Sequence, residues 1–132
     1  MSERNFQQIT PVLQVRDVES AVRFFVEVLG FKAWVTMRDY GYVQREGAAV
    51  RILLASPDPV ERYEYGSRAF LFYVDVRDIA VVVAEVGEKL LARGLPAGEG
   101  PVDQTWGQRE WWVKGPEGGL VIFGQEIAEM QG

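Results

Sequence analysis

The stretch LQVRDVESAVRFFVEVLGF, Leu13–Phe31, predicts a strand, a helix start and a helix end in close succession. Asp17 can serve as the N-cap, because its carboxylate accepts from the first free N–H groups of a helix. Gly30 favours a stop in the left-handed region. We therefore predict a strand over Ile9–Val15 and an amphipathic helix over Val18–Leu29. The apolar residues that recur at helical spacing are Val18, Ala21, Val22, Phe25 and Leu29.

The same plan returns in the second half of the chain. VRDV at Val15–Val18 is echoed by VRDI at Val76–Ile79. Asp78 can cap a second helix, predicted over Ile79–Arg93, and Gly94 can end it. A repeated element order indicates a repeated supersecondary unit.

Strand-like runs bounded by turn residues fill the rest of each half. The predicted strands are Lys32–Arg38, Tyr42–Arg45 and Ala48–Ala55, and then Arg68–Val74, Val102–Thr105, Arg109–Val113 and Leu120–Gln125. Each half therefore reads β-α-β-β-β. We expect one α+β domain of two βαβββ modules, about 8–55 and about 68–125, joined by a connector over 56–67. Their curled mixed sheets would surround a groove.

Composition excludes several kinds of chemistry. The 132 residues include no cysteine and no histidine, which removes disulfides, thiolate sites and the commonest general base and metal ligand. The net charge of −5 with no basic cluster is untypical of nucleic-acid binding. The acidity favours a cationic ligand, although it can also serve solubility alone. The N-terminal residues resemble no signal peptide and no run could span a bilayer, so we expect no membrane partner and a cytoplasmic location.

Three of the four tryptophans lie in QTWGQREWWVKGPEGGLVIF, residues 104–123. Trp111 and Trp112 are adjacent in a predicted strand, so their side chains face opposite sides of the sheet. One packs under a helix, and the other faces the groove or a partner. Trp106, which precedes Gly107, either contacts a ligand or packs as a plug that closes the end of the groove.

LQVRDVESAVRFFVEVLGF and WGQREWWVKGPEGGLVIF resemble the two signature regions of the vicinal oxygen chelate superfamily. This superfamily includes glyoxalase I, extradiol dioxygenases, fosfomycin resistance enzymes and the bleomycin resistance proteins. The resemblance extends over nearly the whole chain and implies the glyoxalase/bleomycin resistance fold. Function is less specified, because one fold supports many activities.

Enzymes of this superfamily hold a divalent metal with side chains from four strands. The resemblance places those positions at Thr10, Ile52, Ala69 (or Leu71) and Ile122. Three of the four lack a donor atom, and metal sites need several converging donors. We therefore expect no metal, no other cofactor and no metal-dependent catalysis.

The metal-free relatives are the bleomycin resistance proteins, which sequester a drug by stacking its planar rings on aromatic side chains. The resemblance assigns the two stacking positions to Tyr40 and Trp106, which we predict share one groove. The full set of predicted ligand-binding residues is Tyr40, Tyr42, Trp106, Glu110, Trp111 and Trp112.

The resulting prediction is a homodimeric antibiotic-binding protein whose ligand is planar, with a cation favoured. Open sheet edges and the aromatic content favour the dimer. Two alternatives stay open: a metal-independent enzyme with Tyr or Glu as acid–base groups, and a non-catalytic interaction module. Arg51 interrupts the apolar run VRILL on the face expected to meet a helix, so we expect an edge strand or a carboxylate partner. For Arg109 and Glu110 the simple alternative to ligand binding is a charge pair on the surface.

Overall fold

The computed structural model describes residues 4–55 and 69–128. The predicted connector, 56–67, and Arg68 lie outside this part of the chain. The division into two modules at that connector therefore stays a prediction. Among the described residues, none of the helices is long and apolar enough to cross a membrane.

The first half forms a four-stranded mixed sheet and one helix. The strands lie in the order β1-β4-β3-β2, with β1 parallel to β4 and the other pairs antiparallel. The elements are β1 Val12–Val15, α1 Val18–Glu27, β2 Lys32–Thr36, β3 Tyr40–Arg45 and β4 Ala48–Leu54.

The second half repeats this topology. Its strands lie in the order β5-β8-β7-β6, with β5 parallel to β8. The elements are β5 Leu71–Asp75, α2 Ile79–Ala92, β6 Glu99–Asp103, β7 Gln108–Lys114, a 3-10 turn at Pro116–Gly118 and β8 Leu120–Glu126. The predicted α+β class and the β-α-β-β-β order of each half are confirmed.

The helix boundaries follow the predicted capping chemistry. The Asp17 carboxylate accepts from Ser20 N at 3.0 Å, and the Asp78 carboxylate accepts from Ala80 N at 3.2 Å. Gly30 has a φ of 76° and Gly94 a φ of 65°, in the left-handed region that glycine tolerates best. Both helices nevertheless end before their predicted last residues.

One hydrophobic core lies between the two sheets and contains buried residues of both helices. The first sheet contributes residues such as Val43 and Ile52, and the second contributes Trp111, Val113 and Phe123. Phe25 of α1 connects the two halves, since its ring centroid lies 6.3 Å from that of Phe70, just before β5.

Polar contacts also join the two halves. Arg45 at the end of β3 donates to the Glu85 carboxylate of α2 at 2.8 Å and 2.9 Å. The Glu117 carboxylate accepts from the backbone N–H of Arg16 at 2.9 Å, just ahead of α1. The GPEG turn therefore anchors the N-terminus of the first helix as well as connecting β7 to β8.

Because strand side chains alternate between faces, each sheet also has a face turned away from this core, which we call its open face. Large apolar side chains remain exposed there. They include Val12 and Trp34 on the first sheet and Leu71, Tyr73 and Trp112 on the second.

Packing at Gly98 tests the core directly. A Cβ at Gly98 would overlap the indole ring of the buried Trp111, while a Cβ at Gly47 would meet no atom within 4 Å. We expect Gly98→Ala to lower the free energy of unfolding by about 1–3 kcal/mol, because an overpacked core must shift backbone or rotamers. Gly47→Ala is the matched control and should change little. Urea denaturation measures both, and equal stabilities for the two variants would contradict this packing.

Candidate functional site

The most unusual group in the described chain is the Glu110 carboxylate. Glu110 is only 3% exposed, although it lies on the open face of the second sheet. Its Oε2 accepts from the indole N–H of Trp106 at 3.3 Å, and its Oε1 accepts from that of Trp112 at 3.2 Å. A buried carboxylate is costly unless hydrogen bonds compensate for lost water, and here two indoles do so.

Local sequence explains why these groups meet. Glu110 and Trp112 are two residues apart on β7, so their side chains share one face of the strand. Trp106 lies in the turn before β7, where Gly107 has a φ of 88°. Opposite Glu110 on β8 is Gly124, and a Cβ there would overlap the Tyr73 ring. The absent side chain leaves room for Tyr73 beside the carboxylate.

Tyr73 completes this group from β5. Its hydroxyl donates to Gln108 Oε1 at 3.2 Å. Burial raises the pKa of Tyr73 to about 12, and the nearby negative charges of Glu110 and Asp75 also raise it. The phenol is therefore protonated at neutral pH and acts there as a hydrogen-bond donor.

Tyr73, Trp106, Glu110 and Trp112 together form what we call the tryptophan–glutamate cluster. Its aromatic members are accessible: Trp106 is 65% exposed, Trp112 38% and Tyr73 42%. Exposed ring faces around a fixed negative charge suit a planar ligand, and a cationic one in particular.

The two adjacent tryptophans have opposite roles. Trp111 is 3% exposed and belongs to the shared core, with its ring near Phe123. The prediction that Trp111 lines a groove is therefore not supported, because its strand position sends it beneath the sheet. Trp112 faces the open side. The alternation of side chains in β7 required one tryptophan on each face of the sheet, and the structure shows which tryptophan lies on which face.

Two further details of this sheet bear on the sequence-based expectations. Arg109 forms a cross-strand charge pair with Asp103 of β6, with Nε 2.6 Å from Oδ1, whereas Glu110 is held by indole N–H groups. Tyr73 was not among the predicted site residues. Its position in RAFLFYV, two residues after Leu71 in an alternating strand, was the available signal.

Tyr40, Tyr42 and Arg51 lie on the open face of the first sheet, and we call them the tyrosine–arginine cluster. The guanidinium carbon of Arg51 lies 4.6 Å from the centroid of the Tyr42 ring, and Nη1 donates to the Tyr40 hydroxyl. The expectations that Arg51 belongs to an edge strand and faces a helix were wrong. Strand β4 is interior, between β1 and β3, and Arg51 faces away from the helix.

Within one chain, the structure does not bring Tyr40 and Trp106 together. They belong to the open faces of different sheets, and both sheets direct their other faces into one shared core. A groove that includes both residues therefore requires a second chain.

The four positions that correspond to metal ligands in the family also divide between faces. Ile122 lies on the open face opposite Trp112, while Ile52 is fully buried in the shared core. Thr10 precedes β1 and accepts from Gln8 Nε2 at 3.0 Å, and Ala69 precedes β5. Across residues 4–55 and 69–128, no group of three or more His, Cys, Asp or Glu residues could hold a metal ion.

A model of the Glyoxalase/Bleomycin resistance protein/Dioxygenase superfamily matches residues 6–123. The chain belongs to this superfamily. A sequence comparison with curated proteins gave no match.

Solved structures of this superfamily share the fold. The bleomycin-binding protein of Streptomyces verticillus, complexed with copper(II)-bleomycin, is 24% identical with a TM-score of 0.70, over 91% of this chain and 96% of that one. A bleomycin resistance determinant encoded on transposon Tn5 is 23% identical with a TM-score of 0.67, over 92% and 98%. A glyoxalase-related enzyme from Clostridium phytofermentans is 19% identical with a TM-score of 0.70, over 95% and 100%. Similarity to a bleomycin-binding protein, a bleomycin resistance determinant and a glyoxalase-related enzyme fixes the fold and leaves the activity open.

Replacement of the buried carboxylate tests the electrostatics of the cluster. We expect Glu110→Gln to lower the pKa of Tyr73 from about 12 toward its ordinary 10, but only part of the way, because burial is the largest cause of the shift. The ring carbon bonded to the hydroxyl, observed by 13C NMR and assigned through Tyr73→Phe, reports the titration. Because the folded-state pKa is raised, the parent should lose stability as the pH rises between 10 and about 12.

Asp103→Asn provides the control for this titration. It removes a carboxylate of the same sheet that pairs with Arg109 outside the cluster. It should leave the pKa of Tyr73 unchanged. An unchanged Tyr73 pKa in Glu110→Gln would show that the two groups are not coupled.

Proposed function

We propose that this protein binds a planar small-molecule antibiotic stoichiometrically, in the manner of bleomycin-binding proteins. The observation that carries the proposal is the tryptophan–glutamate cluster, in which two exposed indoles hold a buried carboxylate on an open sheet face. Membership of the superfamily and the similar fold of two proteins named for bleomycin support it.

The chemistry of the cluster favours an aromatic ligand with a positive charge. Stacking on an aromatic side chain contributes about 0.5–1.5 kcal/mol beyond burial of area. A cation over a tryptophan ring adds about 0.5–2 kcal/mol. The Glu110 charge attracts such a cation, and the overall charge of −5 acts in the same direction at longer range.

The proposal includes a homodimer in which the first sheet of one chain faces the second sheet of the other. This arrangement would place Tyr40 and Trp106 on opposite walls of one groove. Charge supports it, because the open face of the first sheet carries Lys32 and Arg51. Among the described strand residues, that of the second carries Asp75, Glu99, Glu110 and Glu126 against one cation, Lys114. The exposed apolar side chains on both faces would be covered. A cytoplasmic location completes the proposal.

A metal-independent enzyme is the second candidate, supported by the glyoxalase-related fold and by Tyr73 beside Glu110. A phenol with a pKa of about 12 suits proton donation better than proton abstraction at neutral pH. Incubation of bleomycin with the protein, followed by mass spectrometry, separates the two candidates. Recovery of unmodified drug supports binding, and a changed mass supports catalysis.

A comparison of two tryptophans tests the binding site. We expect Trp106→Ala to weaken bleomycin binding by about tenfold, the loss of one stacking ring and its contact area. The melting temperature should fall, but by less than for a core tryptophan: the Trp106 ring is 65% exposed, and water can reach the Glu110 carboxylate in place of the lost indole N–H. Isothermal titration calorimetry and differential scanning calorimetry measure the two quantities.

Trp111→Ala is the matched control, because Trp111 is 3% exposed in the core. It should lower the free energy of unfolding by about 3–5 kcal/mol. Full affinity for bleomycin in Trp106→Ala, or unfolding of that variant, would contradict the proposed site.

A pair of leucines tests the assembly. Leu71 is 64% exposed on the open face of the second sheet, and Leu91 is 81% exposed on α2. Sedimentation velocity at micromolar concentration should show a dimer for the parent and for Leu91→Asp, and a monomer for Leu71→Asp. The physical reason is that a buried unpaired carboxylate disrupts an apolar interface. A monomeric parent would refute the dimer and with it the groove across two chains.

A further inference from the structure

Arg51 stands out among the described cations because its orientation is fixed by aromatic groups. Its guanidinium lies 4.6 Å from the Tyr42 ring centroid and also donates to the Tyr40 hydroxyl. One contact is made by the central carbon and the other by Nη1, and together they restrict the position of the guanidinium. An ordered guanidinium binds a partner with less loss of side-chain entropy than a free one.

Three other arginines have carboxylate partners. Arg45 lies 2.8 Å from Glu85, Arg109 lies 2.6 Å from Asp103, and Arg93 lies 3.5 Å from Glu27. Within residues 4–55 and 69–128, no carboxylate lies within ion-pair distance of Arg51. Arg51 is therefore a positioned cation whose charge the described chain does not neutralise.

The surroundings of Arg51 suit an anion. The strand residues that share its open face carry no acidic side chain. They are Val12 and Gln14 on β1, Ala49 and Leu53 on β4, Tyr40, Tyr42 and Gln44 on β3, and Lys32, Trp34 and Val35 on β2. Among these described strand residues, an approaching anion would meet two cations, Arg51 and Lys32, and no acidic side chain. With one N–H used by Tyr40, the guanidinium keeps further donors in the planar arrangement that matches a carboxylate.

We propose that the tyrosine–arginine cluster is an anion subsite that takes the carboxylate of an aromatic acid. The carboxylate accepts the free N–H groups of Arg51, and the ring of the acid lies against Tyr40. The subsite specifies one part of the ligand in the proposed function. It rests on that function only in taking the ligand to be a small planar molecule. It adds an anionic group to the ligand, opposite in charge to the group that Glu110 favours.

The test uses 2-naphthoate and its neutral isostere 2-naphthamide as probes of the full-length protein. Titration calorimetry should show the parent binding naphthoate about tenfold more tightly than naphthamide, as expected for a charge-assisted hydrogen bond. Arg51→Gln should reduce naphthoate affinity to the naphthamide level and leave naphthamide affinity unchanged. Arg51→Lys should recover part of the difference, since it restores charge without the planar donor pair.

Lys32→Gln is the matched control, because it removes one positive charge from the same face, where Lys32 lies 3.9 Å from the Trp34 ring centroid. It should preserve the preference for naphthoate. Equal affinity of the parent for both probes, no naphthoate binding by the parent, or an unchanged preference in Arg51→Gln would each overturn the subsite.

Sedimentation of Arg51→Gln separates a ligand from a partner chain. Dissociation of a parental dimer by Arg51→Gln, with no preference for naphthoate in the parent, would assign Arg51 to a carboxylate of the second copy and overturn the proposal. Bleomycin binding that depends on Trp106 is an independent readout. If bleomycin does not bind, a preference for naphthoate that depends on Arg51 would still support the subsite. If that preference is absent, bleomycin binding that depends on Trp106 would still support the proposed function.

Discussion

The constraint on which this structure depends is the strict alternation of side chains along β7. Trp111 and Val113 enter the core, so Glu110 and Trp112 must face the opposite side of the sheet. A carboxylate in that position, covered by aromatic rings, is costly to desolvate. The indole N–H groups of Trp106 and Trp112 supply the compensation, and Gly124 leaves the space in which Tyr73 approaches. The architecture of the candidate site thus follows from the packing of the core behind it.

The same alternation, applied to both sheets, explains why the two aromatic clusters are apart. Each sheet gives one face to a single core that both helices help to fill. Phe25 and the Arg45–Glu85 pair then hold the two halves in this arrangement. The tyrosine–arginine cluster and the tryptophan–glutamate cluster consequently occupy outward faces. A binding groove built from both is a property of two chains, and for this reason ligand binding and assembly are coupled hypotheses here.

Local signals in the sequence were sufficient for the element order, because caps such as Asp17 and Asp78 act within one turn of the helices they begin. The direction of side chains was harder to predict. A shift of one residue in register moves a side chain to the other face of a sheet, and this error placed Arg51 under a helix. Tyr73 was missed for another reason. Its importance comes from contact with Gln108 and Glu110, residues distant in sequence that only the pairing of β5, β8 and β7 brings near.

The two open faces hold charged groups of opposite sign next to aromatic side chains. Here Arg51 provides a positive group on one face and Glu110 a negative group on the other, and aromatic hydroxyl or indole groups hold each of them. Side chains held in advance pay less entropy when a ligand arrives than side chains that must first be ordered. A groove lined in this way would discriminate among planar molecules by the position of their charges, because the rings themselves stack on any flat partner of suitable size.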